Sequence, residues 1–455
     1  MQWMKSLFLA HHSVIMKDTQ LLVYSHKSTP RLQYILNLLL NDIIGVNFKI
    51  VNNKSEYLSS TLPKITYCEH AFGDEFFIYA SRLLFEKGIE DQELNVFEWK
   101  NIPVFFGTHP KYDFPFDPFA AAFYLVSRYE EYLPHIKDEH LRFSPQQSLA
   151  YQKGFLSKPL VNIWCSELKH QLKVKYPELH FREKHFKFIS TFDIDSAYAY
   201  QEKGITRQFG AFAAALLKLD FEKIIERLKV LTRIQKDPYD TYDWQIELKE
   251  KYNLKQIYFF LLGNYGEYDK NISVEGSLKF QSLIKSIADN ADVGIHPSYA
   301  SNGKKNQVQK EIKRLTKVVK REITKSRQHF LKVTFPDTYR ILLDLDVEED
   351  YSLGYASEIG FRASICSPFY FYDLDLDTPT QLRIIPFMLM DGTLKDYLRL
   401  SPEESVIRAK KMIDEVKNVN GTFVTLWHNH TINDKDEWKG WRNVYEEIAE
   451  YASAK

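Results

Sequence analysis

The apolar positions of this chain fall into two regimes that meet near residue 180. In the first, short apolar and β-branched runs mix with one clear helical period. Leu21–Tyr24, Phe48–Val51, Lys64–Tyr67 and Asn101–Phe106 read as strands, and Arg31–Leu40 as an amphipathic helix. Asp117 followed by Pro118 has the form of a helix start, an acidic N-cap with proline at the first helical position. Small and aromatic residues line one face of that helix, and Arg128, Glu130 and Glu131 fall near its exit, as a structural helix requires. These elements predict one α/β unit over residues 21–180, with no catalytic constellation in it. The charged, proline-containing stretch Val174–Lys184 marks its boundary.

From residue 186 strands and helices alternate. Strands are expected at Phe188–Asp193, Gln256–Leu262, Ala291–His296, Ser326–Phe330, Glu348–Ser352, Leu382–Pro386 running on to Asp391, and Thr422–Asn429. Between them lie helical periods at Ser277–Ala288, Gln307–Glu322, Pro336–Leu345 and Glu403–Val416, and a last helix closes the chain. A long and mostly helical excursion, 197–250, interrupts the first pair of strands, with Phe209–Leu231 amphipathic. Such alternation predicts a parallel, barrel-like α/β domain over 186–455. Residues 1–20 read as an N-terminal extension. Lys5 before Ser6–Ala10 has the start of a signal peptide, but His11 and His12 break the apolar run and no small-x-small site follows. Met16 offers an alternative start.

Composition mainly removes possibilities. With 455 residues, 44% hydrophobic and 26% charged, the chain has room for two or three full cores. Aromatic residues at 15% suit thick cores or a sugar-stacking cleft equally. No run approaches the roughly 20 apolar residues of a membrane span. Sixty basic and sixty acidic residues leave a net charge of zero, which argues against a nucleic-acid or anionic-membrane partner. Cys68, Cys165 and Cys366 lie too far apart for a disulfide framework or a cysteine zinc site, so a reducing, cytoplasmic location is the default.

The chemistry gathers at strand ends. Asp193 and Asp195 share one face of a strand and project from its C-terminal end, where parallel α/β folds place their sites. Ionisable residues recur at the other predicted ends: His296, Arg327 and His329, Glu349 and Asp350, Asp391, His428. Buried charges need partners, so a common cleft is expected. Carboxylate with imidazole is the ligand chemistry of a catalytic divalent metal, zinc above all. A remaining carboxylate and a remaining histidine would serve as general base and acid. A second reading pairs Asp193 or Asp195 with Glu349 or Asp350 as the two carboxylates of a glycoside hydrolase. Glu349 and Asp391 could also simply cap the helices after them. His11, His12, His135 and His140 read as surface residues.

Five motifs occur in order: Thr191-Phe192-Asp193-Ile194-Asp195, His296-Pro297-Ser298-Tyr299-Ala300, Ser326-Arg327-Gln328-His329, Asp350-Tyr351-Ser352 and Leu426-Trp427-His428. At these residues, over roughly 186–430, the sequence resembles the polysaccharide deacetylases, the NodB-homology carbohydrate esterases. The resemblance implies a distorted (β/α) barrel, often of seven strands, here preceded by a smaller α/β domain outside the resemblance. It implies a metal-dependent hydrolase that removes acetyl groups from N-acetylated sugars of a polysaccharide or glycoconjugate. By the same resemblance Asp193 is the base, Asp195 and His296 are metal ligands, and Arg327 orients the base. Asp350 contacts that arginine, and His428 protonates the leaving amine. The second histidine of the family's H-x-x-x-H motif is Ala300 here. His329 is the expected third ligand, because it follows Arg327 by two residues and would share a strand face with it. An incomplete site would leave a sugar-binding relic without catalysis.

Overall fold

A computed structural model describes residues 20–454 of the 455-residue chain; the expectations on residues 1–19 lie outside the described residues. Leu21–Tyr24 (β1) is apolar and buried at every position, as a strand covered on both faces must be. It lies inside a parallel sheet with Phe48–Val51 (β2), Lys64–Cys68 (β3) and Phe76–Tyr79 (β4), in the order β2-β1-β3-β4. β4 has no expected counterpart, since its four apolar residues show no alternation. The helix expected over Arg31–Leu40 starts at Pro30, capped by Thr29, and widens into a π-type winding over Asn37–Ile44. Gly45 ends it at φ 85°, where a Cβ would lie 2.6 Å from the Arg182 carbonyl oxygen; glycine alone meets both conditions. The strand expected over Asn101–Phe106 is one arm of a hairpin, Phe97–Trp99 (β5) with Ile102–Val104 (β6). Lys100 and Asn101 turn it with positive φ, 52° and 61°, the hand that matches strand twist.

The second sheet has nine strands. They are Lys187–Ile194 (β7), Lys255–Leu261 (β8), Asp292–His296 (β9), Lys325–Ser326 (β10), Glu349–Asp350 (β11), Phe369–Asp373 (β12), Thr378–Ile384 (β13), Leu389–Met390 (β14) and Thr422–His428 (β15). Their order is β12-β13-β11-β10-β9-β8-β7-β15-β14, and every neighbouring pair is parallel except β12–β13. No closed ring of ladders forms among the described residues, which departs from the expected barrel. One kinked segment joins the two sides instead. Ile385 and Phe387 donate to the Asp350 and Leu353 carbonyls, Met388 donates to Val424, and β14 then pairs with β15. Pro386 sits at the changeover and has no N–H to extend either ladder.

The N-terminal unit packs against the β12–β13 edge. Helix Pro118–Val126, capped by Asp117, is buried at every position, so it is a core helix rather than an amphipathic one. The core around it runs without a break into Phe369, Phe371, Tyr372, Leu382 and Ile384. Arg128 donates to Glu130 at 2.7 Å and to Glu131 at 2.8 Å, and Arg362 donates to both Glu131 oxygens at 2.9 and 2.6 Å. The second Glu130 oxygen accepts the Leu149 N–H at 2.8 Å, and Arg128 also reaches the Arg362 carbonyl. The residues at the helix exit are thus three of the four members of a buried ion cluster that ties the two units together. Cys68, Cys165 and Cys366 are buried free thiols. No helix among the described residues is long and apolar enough to cross a membrane.

Candidate metal centre

Beyond its first two residues β7 is buried on both faces. Ser190 and Phe192 face the helices: the Ser190 hydroxyl meets that of Tyr445 at 2.9 Å, and Phe192 stacks on Tyr258. Thr191, Asp193 and, one residue beyond the strand, Asp195 face the other way. The β7–β15 register sets His428 beside Asp193. On β9, Gly294 lies two residues before His296. A Cβ there would stand 2.6 Å from the Phe259 ring, and that ring lies under the Arg327 guanidinium at 4.8 Å.

Asp195 Oδ1 lies 3.2 Å from His296 Nε2 and 3.6 Å from His329 Nε2. The three donors fall within 4.8 Å of one another. Both imidazoles are held from behind. His296 Nδ1 is 2.5 Å from the Arg327 carbonyl oxygen, and His329 Nδ1 is 2.9 Å from Asp269 Oδ1. These contacts assign the protons to Nδ1 and leave the Nε2 lone pairs facing the cleft. Asp195 Oδ1 is buried without a hydrogen-bond partner among the described residues, although the Asp195 side chain as a whole is 24% exposed. An orphaned carboxylate oxygen with two converging lone pairs fits a divalent cation, and imidazoles backed by a carbonyl and a carboxylate are how proteins orient such ligands. Burial would raise Asp195, but His329, His296 and His428 outweigh it and hold the carboxyl well below its usual range. Burial would lower His329, but Asp195 and Asp269 raise it to about 9. The second proton that this implies sits on Nε2, the position a cation would take by displacing it.

Two further pairs flank the donors. Asp193 Oδ1 accepts from Arg327 Nη1 at 3.1 Å, and its Oδ2 lies 3.6 Å from His296 Nε2. Arg327 is fully buried and also donates to Thr191 Oγ1 at 2.5 Å and to the Tyr351 carbonyl at 3.0 Å. The expected contact of Asp350 with this arginine is replaced. The chain turns just after β11, and Asp350 folds back onto the Ser352 N–H and hydroxyl, both at 2.9 Å. Burial raises it to about 6. On the other flank, His428 Nδ1 lies 2.9 and 3.1 Å from the two Asp391 oxygens. Asp391 is held in turn by the His428 N–H at 2.7 Å and the Thr431 hydroxyl at 2.6 Å. His428 Nε2 faces Asp195 Oδ2 at 3.5 Å. Burial opposes its charge, yet Asp391, then Asp195 and Asp193, raise it to about 10. Neighbouring His430 is pushed down to about 4 by burial and by His428.

Asp193, Asp195, His296, Arg327, His329 and His428 therefore meet in one cleft, and Asp350 stands behind it. Glu349 does not join them. It accepts from the Tyr351 hydroxyl at 2.8 Å and lines a cavity with Lys187, Phe188 and Thr422, at the opposite ends of β7 and β15. The strand expected over Ser326–Phe330 ends at Ser326, and His329 opens a short 3₁₀ turn, His329–Leu331. His329 reaches the cleft through that turn and not through a shared strand face. Asp269 was missed in the sequence because it sits in a polar loop, 263–276, without any period. Asp391, read as a helix cap, does accept the Gly392 N–H at 2.6 Å, but its main partner is His428. His140 is no surface residue: its ring packs on Tyr268, Tyr299 and Phe330 beside His329.

Residues 21–177 match the profile of a family of unknown function (DUF7033). Comparison with curated proteins finds no match. Among solved structures, the chain is similar to one assigned as a polysaccharide deacetylase from Mycobacterium smegmatis, at 14% identity and TM-score 0.38, over 59% of this chain and 85% of that one. It is similar to the polysaccharide deacetylase Bc1974 from Bacillus cereus at 11% identity and TM-score 0.27, over 59% and 86%. It is also similar to BA3943 from Bacillus anthracis, a CE4 family pseudoenzyme, at 11% identity and TM-score 0.28, over 59% and 62%.

Proposed function

We propose that this protein is a metal-dependent hydrolase that removes acetyl groups from N-acetylated sugars, with Asp195, His296 and His329 holding the cation. The observation that supports this reading above all is the orphaned Asp195 Oδ1 facing two Nε2 lone pairs, with a buried carboxylate on one side and a charged imidazole on the other. One carboxylate and two imidazoles favour zinc. A divalent cation bound there supplies Lewis acidity, lowering the pKa of water and polarising the acetyl oxygen. Arg327 holds Asp193 in place at 3.1 Å, aimed so that it takes a proton from the water that attacks the acetyl carbon. As the carbon–nitrogen bond breaks, His428 gives its proton to the departing nitrogen. The products are acetate and a free amine on the sugar. Asp391 keeps His428 charged and in register for that transfer. Tyr268 and Tyr299, with ring centroids 4.4 Å apart beside the donors, offer aromatic faces of the kind that pack on sugar rings. For the paired-carboxylate glycosidase reading, Glu349 stands at the far end of the strands and Asp350 is turned onto Ser352.

Metal content and acetate release from an N-acetylglucosamine oligomer test this reading together. Asp195→Ala and His296→Ala should abolish metal binding while far-ultraviolet dichroism is unchanged. Asp193→Asn should keep the metal and lower acetate release by about two to four orders of magnitude. Full metal occupancy in both ligand variants would refute the assignment. A metal-loaded wild type that binds the oligomer without releasing acetate would favour the sugar-binding relic.

A further inference from the structure

Between Asp195 and β8 the chain leaves the sheet and builds a helical hairpin, Ile205–Leu217 and Phe221–Leu231. The first helix has no buried residue and the second has only Val230. The turn that joins them is apolar: Leu216, Leu217, Leu219 and Phe221 are all exposed, Leu217 by 86%. Ile225 and Leu228 continue the stripe along the second helix. Turns in water are normally built from polar residues and glycine, and a contiguous exposed apolar patch marks a surface that meets something. The hairpin is held to its own domain by other residues. Glu226 accepts from Tyr200 and Lys435 at 2.7 and 2.6 Å, and the Arg227 guanidinium lies over the Tyr200 and Phe212 rings. Just past the metal centre, Asp237 fixes the base by accepting the N–H groups of Ala199, Tyr200 and Gln201 at 2.7, 2.9 and 3.1 Å.

Charge identifies what the tip meets. Residues 203–236 carry eight Lys/Arg against three Asp/Glu, a net +5 in a chain whose total is zero. The neutral total, which argued against an anionic surface, conceals this segregation. Lys218 lies between the tip leucines and Lys223 one turn beyond. An apolar face bordered by lysine and arginine is the pattern of helices that lie in the bilayer interface. A second copy meeting the first through this face would set Lys218 and Lys223 against their own counterparts.

We propose that this hairpin docks the protein on an anionic lipid bilayer, with the Leu216–Phe221 tip entering the interface and the flanking lysines meeting lipid phosphates. The proposal is independent of the reaction at the metal centre. Its test is sedimentation of the full chain with vesicles of phosphatidylcholine mixed with phosphatidylglycerol, against phosphatidylcholine alone. The wild type should bind the anionic vesicles and release as salt rises. Leu217→Ser with Leu219→Ser, and separately Lys218→Glu with Lys223→Glu, should each weaken binding by about tenfold or more. Both pairs are exposed, so thermal unfolding should be unchanged. Because the native cysteines are buried, an environment-sensitive dye can be placed on Leu217→Cys. It should shift to the blue on vesicles, while the same dye on Lys313→Cys should not. Absence of wild-type binding at low salt, or full binding by both double variants, would overturn the proposal. A dimer in light scattering that the leucine variant dissolves would overturn it in favour of a second copy.

Discussion

The Arg128–Glu131 cluster and the Asp195 cluster are both buried groups of opposite charges, yet they end differently. At the junction of the two units, all four oxygens of Glu130 and Glu131 accept a hydrogen bond. The remaining guanidinium nitrogen of Arg362 donates to the Gly354 carbonyl. Both arginines hold Glu131 below its usual range despite burial. At the strand ends, Asp195 Oδ1 and Arg327 Nη2 are buried with no partner among the described residues, and two imidazole lone pairs face the same point. Removing polar atoms from water without partners is costly, so a native fold that keeps them calls for an explanation outside its own hydrogen bonds. What separates the two clusters is unmet valence; burial and charge are common to both.

The sharpest way to break this contrast is to open the closed cluster. Glu131→Gln leaves Arg128 and Arg362 buried with one carboxylate between them. It should destabilise the fold by about 3–5 kcal/mol, read from urea unfolding of the metal-free protein. Asp195→Asn should cost less in the same measurement, because Asp195 Oδ1 has no hydrogen bond to lose and the neighbouring imidazoles lose only its charge. A loss below about 1 kcal/mol for Glu131→Gln would put that cluster among the weakly coupled ion pairs, and the contrast would fail.

Legibility in the sequence follows the same division. The β7, β8, β9 and β15 strands announce themselves through buried apolar runs, and the ionisable residues at their ends are visible because charge is out of place there. Asp193, Asp195, His296 and His428 needed no more than that. His329 was found for a reason the structure corrects, since β10 is only two residues long and the histidine arrives through a turn. The β12 strand and the β12–β13 hairpin were missed because the strand's aromatic residues do not alternate with polar ones. Asp269 and the Asp391–His428 pair depend on which loop returns to which strand end, and local periodicity holds no information about that. The Arg128–Glu131 cluster looked like a helix exit because its fourth member, Arg362, lies 231 residues from Glu131.

A smaller effect separates the clusters by pH. Burial raises Asp350 from 3.8 to about 6, outweighing its hydrogen bonds with Ser352 and the Arg327 charge nearby. Between pH 4 and 6 the folded protein holds a proton that the unfolded chain has released. That proton stabilises the fold, fully below the unfolded value, and its contribution is lost as pH rises through the folded one. Asn at position 350 can keep both Ser352 contacts and does not titrate. The stability of Asp350→Asn relative to the wild type should therefore rise by on the order of 2–3 kcal/mol from pH 4 to pH 7. Parallel stability profiles for the two proteins would exclude Asp350 as the titrating group. Glu131, lowered rather than raised, predicts the opposite slope.

The smallest effect tests whether the open cluster is organised around a cation at all. Asp269 touches none of the proposed reacting atoms. It holds His329 Nδ1 at 2.9 Å and accepts the N–H groups of Tyr299 and Ala300 at 2.8 and 3.1 Å. One carboxylate therefore ties the backbone after His296 to the imidazole proposed as the third donor. In Asp269→Asn the amide oxygen can keep the Tyr299 N–H and His329 Nδ1, while the amide nitrogen faces the Ala300 N–H and the side chain no longer stabilises positive charge on the ring. If His329 is a ligand, zinc affinity should fall by about 10- to 100-fold, the usual cost of losing a carboxylate behind a ligating histidine, measured on protein that thermal unfolding shows to be still folded. Competition with a chelating dye measures that affinity directly. Asp391→Asn provides the control, because His428 is assigned as acid and not as ligand. It should leave zinc affinity within about twofold and lower acetate release. Equal losses of zinc affinity in the two variants would mean that both histidines ligate, and the division into ligands and acid would have to be redrawn.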